Sequence, residues 1–385
     1  MRSDLVYMWR STLFSDVKIT LVDDTGEALK KHDSDDDDDD DGEAIFSAHR
    51  ALLASRSTYF ANILSPTSGF IESLQNADSG PRNVTLHQPP FTPASLHFAL
   101  GYIYSGTVAF SNRTLDLSTA FEVYEAAEYL DLTPLKAQIV GKISEMVNYF
   151  DFPFTANRQL LIKRIPRILE FTLRPTINEP ELEASVFELC VKGFGDIWGK
   201  DIAELPYPTR KQLVSSVNLG ISSHTLIPAL KAVIAIQNRL KNEMRFAKWV
   251  NELTNMVNAV DKHIRRCLDA NLGEVLDSDK FWDLVDGVGF SNDAFEKLLE
   301  MIIESLSDEN CIFSYQSFTS KILRNENENR VLTPSMREWC DEIRKKIVKS
   351  VRSRWMNVKS LGLFEKLEKW CLQELSEGKK MFILW

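Results

Sequence analysis

The sequence has few cysteines, and no two of them are close enough to form a recognised metal or redox motif. The five cysteines are Cys190, Cys267, Cys311, Cys340 and Cys371. Secreted disulfide frameworks and zinc modules place cysteines in even numbers or in C-x-x-C pairs. The odd, scattered set therefore predicts reduced thiols and a protein of the cytoplasm, the nucleus or both.

Long apolar runs are also missing. No window reaches the length of about 20 apolar residues that a membrane-spanning helix needs. The first residues include Asp4 and Trp9 and do not follow the pattern of a signal peptide. We therefore expect neither a membrane partner nor a secretory route.

Motifs that carry catalysis are absent as well. The six histidines form neither an H-E-x-x-H pattern nor a close pair, and no serine lies in a nucleophile-elbow pattern. The segment Gly193–Lys200 faintly resembles a phosphate loop, but its spacing is wrong and Asp201 stands where a hydroxyl would hold magnesium. We expect no enzyme, no catalytic residues, no cofactor and no metal. An enzyme in the C-terminal part would require a deep pocket with convergent titratable groups.

The charge is acidic overall and unevenly distributed. The net charge is −10, and residues 1–150 hold twice as many acidic as basic residues, largely because of the run Asp35–Asp41. Like charges repel and cannot bury apolar surface, so we predict a disordered acidic loop at about residues 25–43. The remaining sequence is nearly balanced, which argues against a nucleic-acid partner.

The stretch from Ala44 to Leu64 is dense in apolar residues. It reads as a short strand, a turn at Ser47 and two helices. Their apolar residues are Leu52 and Leu53 in the first helix, and Tyr59, Phe60, Ile63 and Leu64 in the second. Such density predicts that other parts of the chain cover this hairpin.

Three polar residues lie at the predicted strand and helix junctions. Asp16 is at the start of the first strand, and His49 and Arg50 are where strand gives way to helix. We assign all three structural roles, because buried polar groups satisfy the backbone and one another. For His49 this means a buried, hydrogen-bonded core histidine rather than a catalytic base.

Five segments in order resemble the BTB/POZ family. They are Ser15-Asp16-Val17, the hairpin from Phe46 to Phe60, Val84-Thr85-Leu86, Tyr102–Gly106 and Ala126–Leu130. The resemblance covers roughly residues 12–147. It implies an α+β BTB/POZ domain at residues 1–148, with a small sheet and a helical cluster. It also implies a homodimeric adaptor that has no catalytic residues and bridges a cullin-3 type ubiquitin ligase to an unknown protein substrate.

The resemblance further implies two surfaces. Cullin-binding members carry a hydrophobic-x-Glu signature ahead of the third strand, and Phe70, Ile71 and Glu72 have this form here, with Tyr102 as a possible extension. Long-form BTB dimers pack an N-terminal helix across the partner. The apolar lead-in residues for that role are Leu5, Met8, Trp9 and Leu13.

Residues 149–385 carry no strand signal, and we predict an all-helical C-terminal domain. Pro153, Pro166, Pro175 and Pro180 are expected to separate short helical pieces. Further helices are predicted at 181–192, from Leu226 to Leu240, from Phe295 to Leu306, from Thr333 to Trp355 and from Leu363 to Cys371. Leu205-Pro206 and Arg210–Val217 weakly resemble the BACK-like domain that follows BTB in kelch-type adaptors.

One predicted helix is strongly basic, with Arg344, Lys345, Lys346, Lys349, Arg352 and Arg354. We interpret it as a solvated face. A docking face for an acidic partner, or for the chain's own aspartate run, is the alternative.

A different function remains open for the same fold. A BTB dimerisation scaffold in transcription or chromatin regulation would need no cullin. A zinc finger or a strongly basic arm would favour it, and the sequence contains neither.

Overall fold

The computed structural model describes residues 2–23, 25, 44–65, 81–154, 157–243, 247–286, 292–324 and 332–376. The chain divides into two compact units. The first comprises Met1–Asp151 with Arg174–Leu182, and the second comprises Phe152–Leu173 with Glu183–Trp385. The domain boundary expected at residue 148 stays a prediction. The acidic segment predicted to be disordered lies outside the described residues, apart from Thr25.

A three-stranded mixed sheet forms the centre of the first unit. Its strands are β1 (Val17–Val22), β2 (Ile45–Ala48) and β3 (Arg82–His87), in the order β2-β1-β3. β1 runs antiparallel to β2, with Ile19 opposite Phe46, and parallel to β3, with Ile19 opposite Val84. β2 and β3 both pair with β1 and not with each other. Val17, Ile19 and Leu21 of β1 alternate with more polar residues, and all three are buried.

Six α-helices lie in the described part of the first unit together with the sheet. They are α1 (Arg2–Arg10), α2 (Arg50–Arg56), α3 (Thr58–Leu64), α4 (Pro93–Ser105), α5 (Leu117–Tyr129) and α6 (Thr133–Met146). α4 is almost wholly buried and begins at a capping box, in which Thr92 and Ser95 satisfy each other's backbone N–H groups. It ends at Gly106, whose φ of 74° is the left-handed conformation that glycine adopts without strain.

The rest of the described chain is helical, which confirms the predicted fold class. Its α-helices are α7 (Arg158–Thr172), α8 (Pro180–Lys192), α9 (Phe194–Ile197), α10 (Lys200–Glu204), α11 (Tyr207–Leu219), α12 (Leu226–Leu240), α13 (Lys248–Asp277), α14 (Asp279–Val285), α15 (Asn292–Glu304), α16 (Cys311–Phe318), α17 (Pro334–Ser353), α18 (Trp355–Ser360) and α19 (Lys369–Ser376). None of the helices in the described ranges has the length and apolar character needed to cross a membrane.

Three sequence expectations for the helical part were wrong. Pro166 does not end a helix but lies buried inside α7, where apolar burial outweighs the cost of about 3 kcal/mol for an interior proline. Trp355 does not continue α17, because Arg354 leaves the helical conformation and α18 begins there. The helix predicted from Leu363 to Cys371 is a 3₁₀ turn followed by α19, since Leu367 is extended.

Candidate interaction site

His49 lies at the centre of the first unit, buried between α4 and the segment after α1. Its backbone N–H donates to the Tyr104 hydroxyl at 2.8 Å, and its Nδ1 lies 2.8 Å from the same oxygen. Its Nε2 lies 2.7 Å from the Leu13 carbonyl oxygen. A carbonyl only accepts, so Nε2 carries a proton and donates to Leu13, while Nδ1 and the Tyr104 hydroxyl share the second hydrogen bond.

Tyr104 connects His49 to α1. Its ring is fully buried and stacks on Trp9 with a centroid distance of 5.5 Å. The Trp9 ring also packs against the rings of His97 and Phe110, with centroid distances of 5.4 and 5.9 Å. Burial raises the pKa of the Tyr104 hydroxyl well above its ordinary value, so the group stays protonated and can donate to His49. Tyr104 is therefore a core residue of the first unit.

Asp16 and Arg50 meet through the backbone. The Asp16 carboxylate accepts from the Arg50 backbone N–H at 2.7 Å, which satisfies one of the first N–H groups of α2. The side chains of both residues are exposed. The contact with Asp16 is therefore made by the backbone N–H of Arg50 and not by its guanidinium.

The helical hairpin is fastened to the following helices by two side chains. The Ser57 hydroxyl donates to the Leu130 carbonyl at 2.7 Å and accepts from the Phe60 N–H at 3.2 Å. The Arg56 guanidinium donates to the Ile103 carbonyl at 2.7 Å. The sequence analysis assigned neither residue a role, because their partners lie 47 and 73 residues further along the chain.

The residues predicted for a dimer interface fall into two groups. Trp9 is buried in the core of its own unit, so its ring is not part of an open surface. Leu5 and Met8 are half-buried, and Leu13 is 47% exposed. Tyr7 and Phe14, which were not predicted, are 67% and 87% exposed. The interface itself stays a prediction, and Leu13 and its exposed neighbours are the surface that it would use.

Most of the predicted cullin face cannot be placed. Phe70, Ile71 and Glu72 lie outside the described residues. Tyr102 lies on α4 and is half-buried, so part of its side chain is open to a partner. This assignment also stays a prediction.

An aromatic cluster on α3 and α5 was missed by the sequence analysis. The Tyr59 and Tyr129 rings lie 5.1 Å apart, and Phe91 packs edge-on against Tyr129 at the same distance. Tyr129 is 49% exposed. Burial, with a hydrogen bond to Tyr129, raises the pKa of Tyr59 to about 12. Apolar residues that recur every 3.6 positions indicate the buried side of a helix. Tyr129 lies on the exposed side of α5, so this pattern gives no signal for its ring.

The second unit contains an open groove of about 570 Å³. Its walls are the segment from Val191 to Asp196, the end of α11 and one side of α12. Small residues line α12 there, and a Cβ added at Gly195 would lie 2.6 Å from the Ala232 side chain, so α9 can approach α12 only with glycine at that position. The segment that resembled a phosphate loop is therefore a wall of an apolar groove.

Arg239 holds this wall in place. Its guanidinium donates to the carbonyl oxygens of Gly195, Asp196 and Trp198 at 2.7, 3.0 and 3.1 Å. Two of these carbonyls belong to α9 and the third to Trp198 directly after it, and so short a helix cannot satisfy them itself. Burial lowers the pKa of Arg239, although nearby Asp196 opposes the change.

The basic residues of α17, and Arg354 directly after it, are partly neutralised by ion pairs. Arg344 pairs with Glu374 at 2.8 Å and Arg354 with Asp308 at 3.2 Å. Lys345, Lys346 and Lys349 are exposed. This arrangement fits the solvated face that we favoured from the sequence.

A metal centre would need clustered His, Cys, Asp or Glu side chains in the described part of the chain. No group of three or more His, Cys, Asp or Glu residues there could hold a metal ion. The first unit presents a small mixed sheet, a helical hairpin and exposed aromatic side chains.

The family model of the BTB/POZ domain matches residues 39–146 of the chain. The chain therefore contains a BTB/POZ domain, and an all-helical region follows it. BTB/POZ domains are protein-interaction modules, generally without enzymatic activity, and they commonly mediate dimerisation. The match begins after β1, although β1 is the central strand of the sheet.

Proposed function

We propose that this protein is a non-catalytic adaptor that bridges a cullin-3 type ubiquitin ligase to a protein substrate. The observation that carries the proposal is the coupling of a BTB/POZ domain to a separate helical unit with its own core. An adaptor needs two binding elements on one chain, one for the scaffold and one for the substrate. A dimerisation module alone needs only the first.

The scaffold side of the proposal lies on the BTB domain. We assign it to Phe70, Ile71 and Glu72 with Tyr102. An aromatic anchor in a partner pocket is the usual centre of an interface, and a carboxylate beside it can accept charge-assisted hydrogen bonds. Tyr102 supports the assignment because part of its side chain is accessible on a mostly buried helix.

The substrate side lies in the helical region. The groove beside α9 and α12 is apolar and open, and the three hydrogen bonds from Arg239 fix one of its walls. Rigid concave apolar surfaces are the usual binding sites of partner segments. We propose this groove as the place where a substrate segment docks.

The proposal assigns the protein to the cytoplasm, the nucleus or both, as a homodimer. All five cysteines are free, and four of them are buried, which suits a reducing compartment. The dimer would use the exposed side chains that follow α1.

Calorimetry with the purified N-terminal helical domain of a cullin-3 scaffold tests the scaffold side. We expect the full chain to bind it and the double variant Phe70→Ala, Glu72→Ala to lose measurable binding, with its dimer mass and melting temperature unchanged. The matched control is Phe313→Ala with Glu309→Ala, an exposed aromatic and carboxylate on the helical unit, which should bind like wild type.

The same measurement decides between the two functions. If the wild-type chain shows no affinity for the scaffold, the adaptor proposal fails. The dimerisation scaffold in transcription or chromatin regulation then takes its place.

A further inference from the structure

The groove beside α9 and α12 is lined largely by residues with small side chains. Six of them are Gly193, Gly195, Pro228, Ala229, Ala232 and Ala235. Ala235 is exposed and Ala232 is half-buried, so part of this lining is accessible. Two apolar surfaces pack densely when large side chains of one meet small side chains of the other. The groove therefore fits an occupant with large apolar side chains.

The charged residues that line the groove already have partners. The Lys192 ammonium lies 2.6 Å from the Glu188 carboxylate, and the Arg158 guanidinium donates to Asp196 at 2.5 Å. The third, Lys231, is half-buried and also engaged. Because these charges are used within the unit, apolar contact rather than charge selects the occupant.

The chain itself contains a segment of this kind. The sequence has two runs of five consecutive large apolar residues and none longer. The first, Leu5–Trp9, lies in α1, where Trp9 is buried. The second, Met381–Trp385, follows α19 after the residues Glu377–Lys380 and lies outside the described residues. Runs of three or four apolar residues in contact with water are normally functional, so the second run calls for a binding site.

The second run matches the groove in chemistry and in reach. All five side chains from Met381 to Trp385 are large and apolar, and none carries a charge. The helix before the run, α19, belongs to the same compact unit as the groove. The nine residues after Ser376 can extend about 30 Å, which is about the diameter of a small domain. The run can therefore bind at a distance from α19.

We propose that Met381–Trp385 docks in the groove of its own chain and covers it until a substrate segment displaces it. The large side chains of the run fill the space that the small residues leave. The wall fixed by Arg239 keeps the groove formed when the run departs. A substrate of this groove then carries a similar cluster of large apolar side chains.

The role of a substrate in this inference rests on the proposed function, whereas the docking of the run does not. The two measurements that follow contain neither a cullin scaffold nor a substrate. Failure of the docking is therefore distinguishable from failure of the adaptor proposal, which calorimetry with the scaffold decides.

Limited proteolysis of the full chain tests the docking without an added ligand. Trypsin cuts after lysine, and docking of the run protects the bond after Lys380. Ala235→Glu places a charge in the apolar groove, so it should speed release of the fragment Met381–Trp385 about tenfold or more, as measured by mass spectrometry. Ala259→Glu makes the same change at an exposed position of α13 outside the groove lining and should behave like wild type.

Fluorescence anisotropy with a fluorescein-labelled EGKKMFILW peptide gives a second readout. The full-length double variant Phe382→Asp, Leu384→Asp should leave the groove open. It should bind the peptide about tenfold or more tightly than the wild-type chain, whose own run competes at high effective concentration. Adding Ala235→Glu to the double variant should abolish this gain, and adding Ala259→Glu should not. The peptide EGKKMDIDW is the negative control and should bind neither chain.

Three results would overturn the proposal. One is release of the fragment at the same rate from wild type and from the Ala235→Glu variant. Another is equal binding of the peptide by wild type and by the double variant, which carries the test alone if Ala235→Glu does not fold. The third is protection that increases with protein concentration, which would assign the groove to the run of a second copy of the chain.

Discussion

At the scale of single residues, the hydrogen bonds of His49 hold together segments that are far apart in sequence. Its ring joins the Leu13 carbonyl to the Tyr104 hydroxyl, 36 and 55 residues away. The sequence analysis could predict a buried, hydrogen-bonded histidine from the apolar density around it. It could not name the two partners, because only the folded chain brings them together.

Replacing His49 with Ala should lower the free energy of unfolding by about 1–3 kcal/mol. The change leaves the part-buried Leu13 carbonyl without its donor and the buried Tyr104 hydroxyl without its acceptor. Urea unfolding measures the effect. His87→Ala, at an exposed position of β3, is the control and should change stability little. Equal stability of the His49 variant and wild type would show that the network is not structural.

Stability should fall at alkaline pH, in part because of Cys190. Burial raises the pKa of this thiol from its ordinary value near 9 to about 12. Between these values the unfolded chain loses the proton while the folded chain keeps it, so unfolding becomes easier as pH rises. One thiol contributes a slope of about 1.4 kcal/mol per pH unit in that window and nothing below it.

Guanidinium unfolding at several pH values between 8 and 11 checks this slope. Cys190→Ala should make the decline shallower, whatever its effect on absolute stability. A slope that is the same with and without the thiol would contradict the account.

At the scale of helices and strands, a helix could be predicted from the sequence where capping residues mark its two ends. α4 could be predicted from Thr92, Pro93 and Gly106, which act as cap, first-turn residue and left-handed stop. α13, the longest helix at 30 residues, was missed. It begins after Ala247 without a side-chain cap, so the spacing of its apolar residues is the only sequence feature that could predict it.

The site was less predictable than the fold. The strand order β2-β1-β3 depends on which neighbours β1 bonds, and a sequence does not show strand pairing. Trp9 was read as a surface residue because it is near an apolar terminus. Its place beside Tyr104 depends on α1 packing against α4.

The element α1 should have two separable roles. Trp9→Ala should lower stability by about 3–5 kcal/mol, since it empties a buried site beside Tyr104. Leu5→Ala with Leu13→Ala changes more accessible side chains, so it should reduce the dimer mass with little effect on the melting temperature. Light scattering and thermal unfolding check both. An unchanged dimer mass in the double variant, and in a chain starting at Phe14, would place the interface elsewhere.

At the scale of the whole molecule, the aspartate run should be dispensable for folding. Deleting Lys31–Gly42 shortens a connection that carries almost no apolar surface, and loop closure changes only slightly with length. We expect the same circular-dichroism spectrum and a melting temperature close to wild type. A deletion variant that fails to fold would show that these residues contribute structure.

The central claim is that one chain joins a cullin scaffold to a substrate through a BTB/POZ domain and a helical unit. Affinity purification of the full chain from cells, with quantitative mass spectrometry, tests it most directly. The account predicts a cullin-3 type scaffold in the wild-type eluate and its loss from the Phe70→Ala, Glu72→Ala variant, with self-association retained in both. A wild-type eluate without cullin, or one in which the variant retains it fully, would contradict the account.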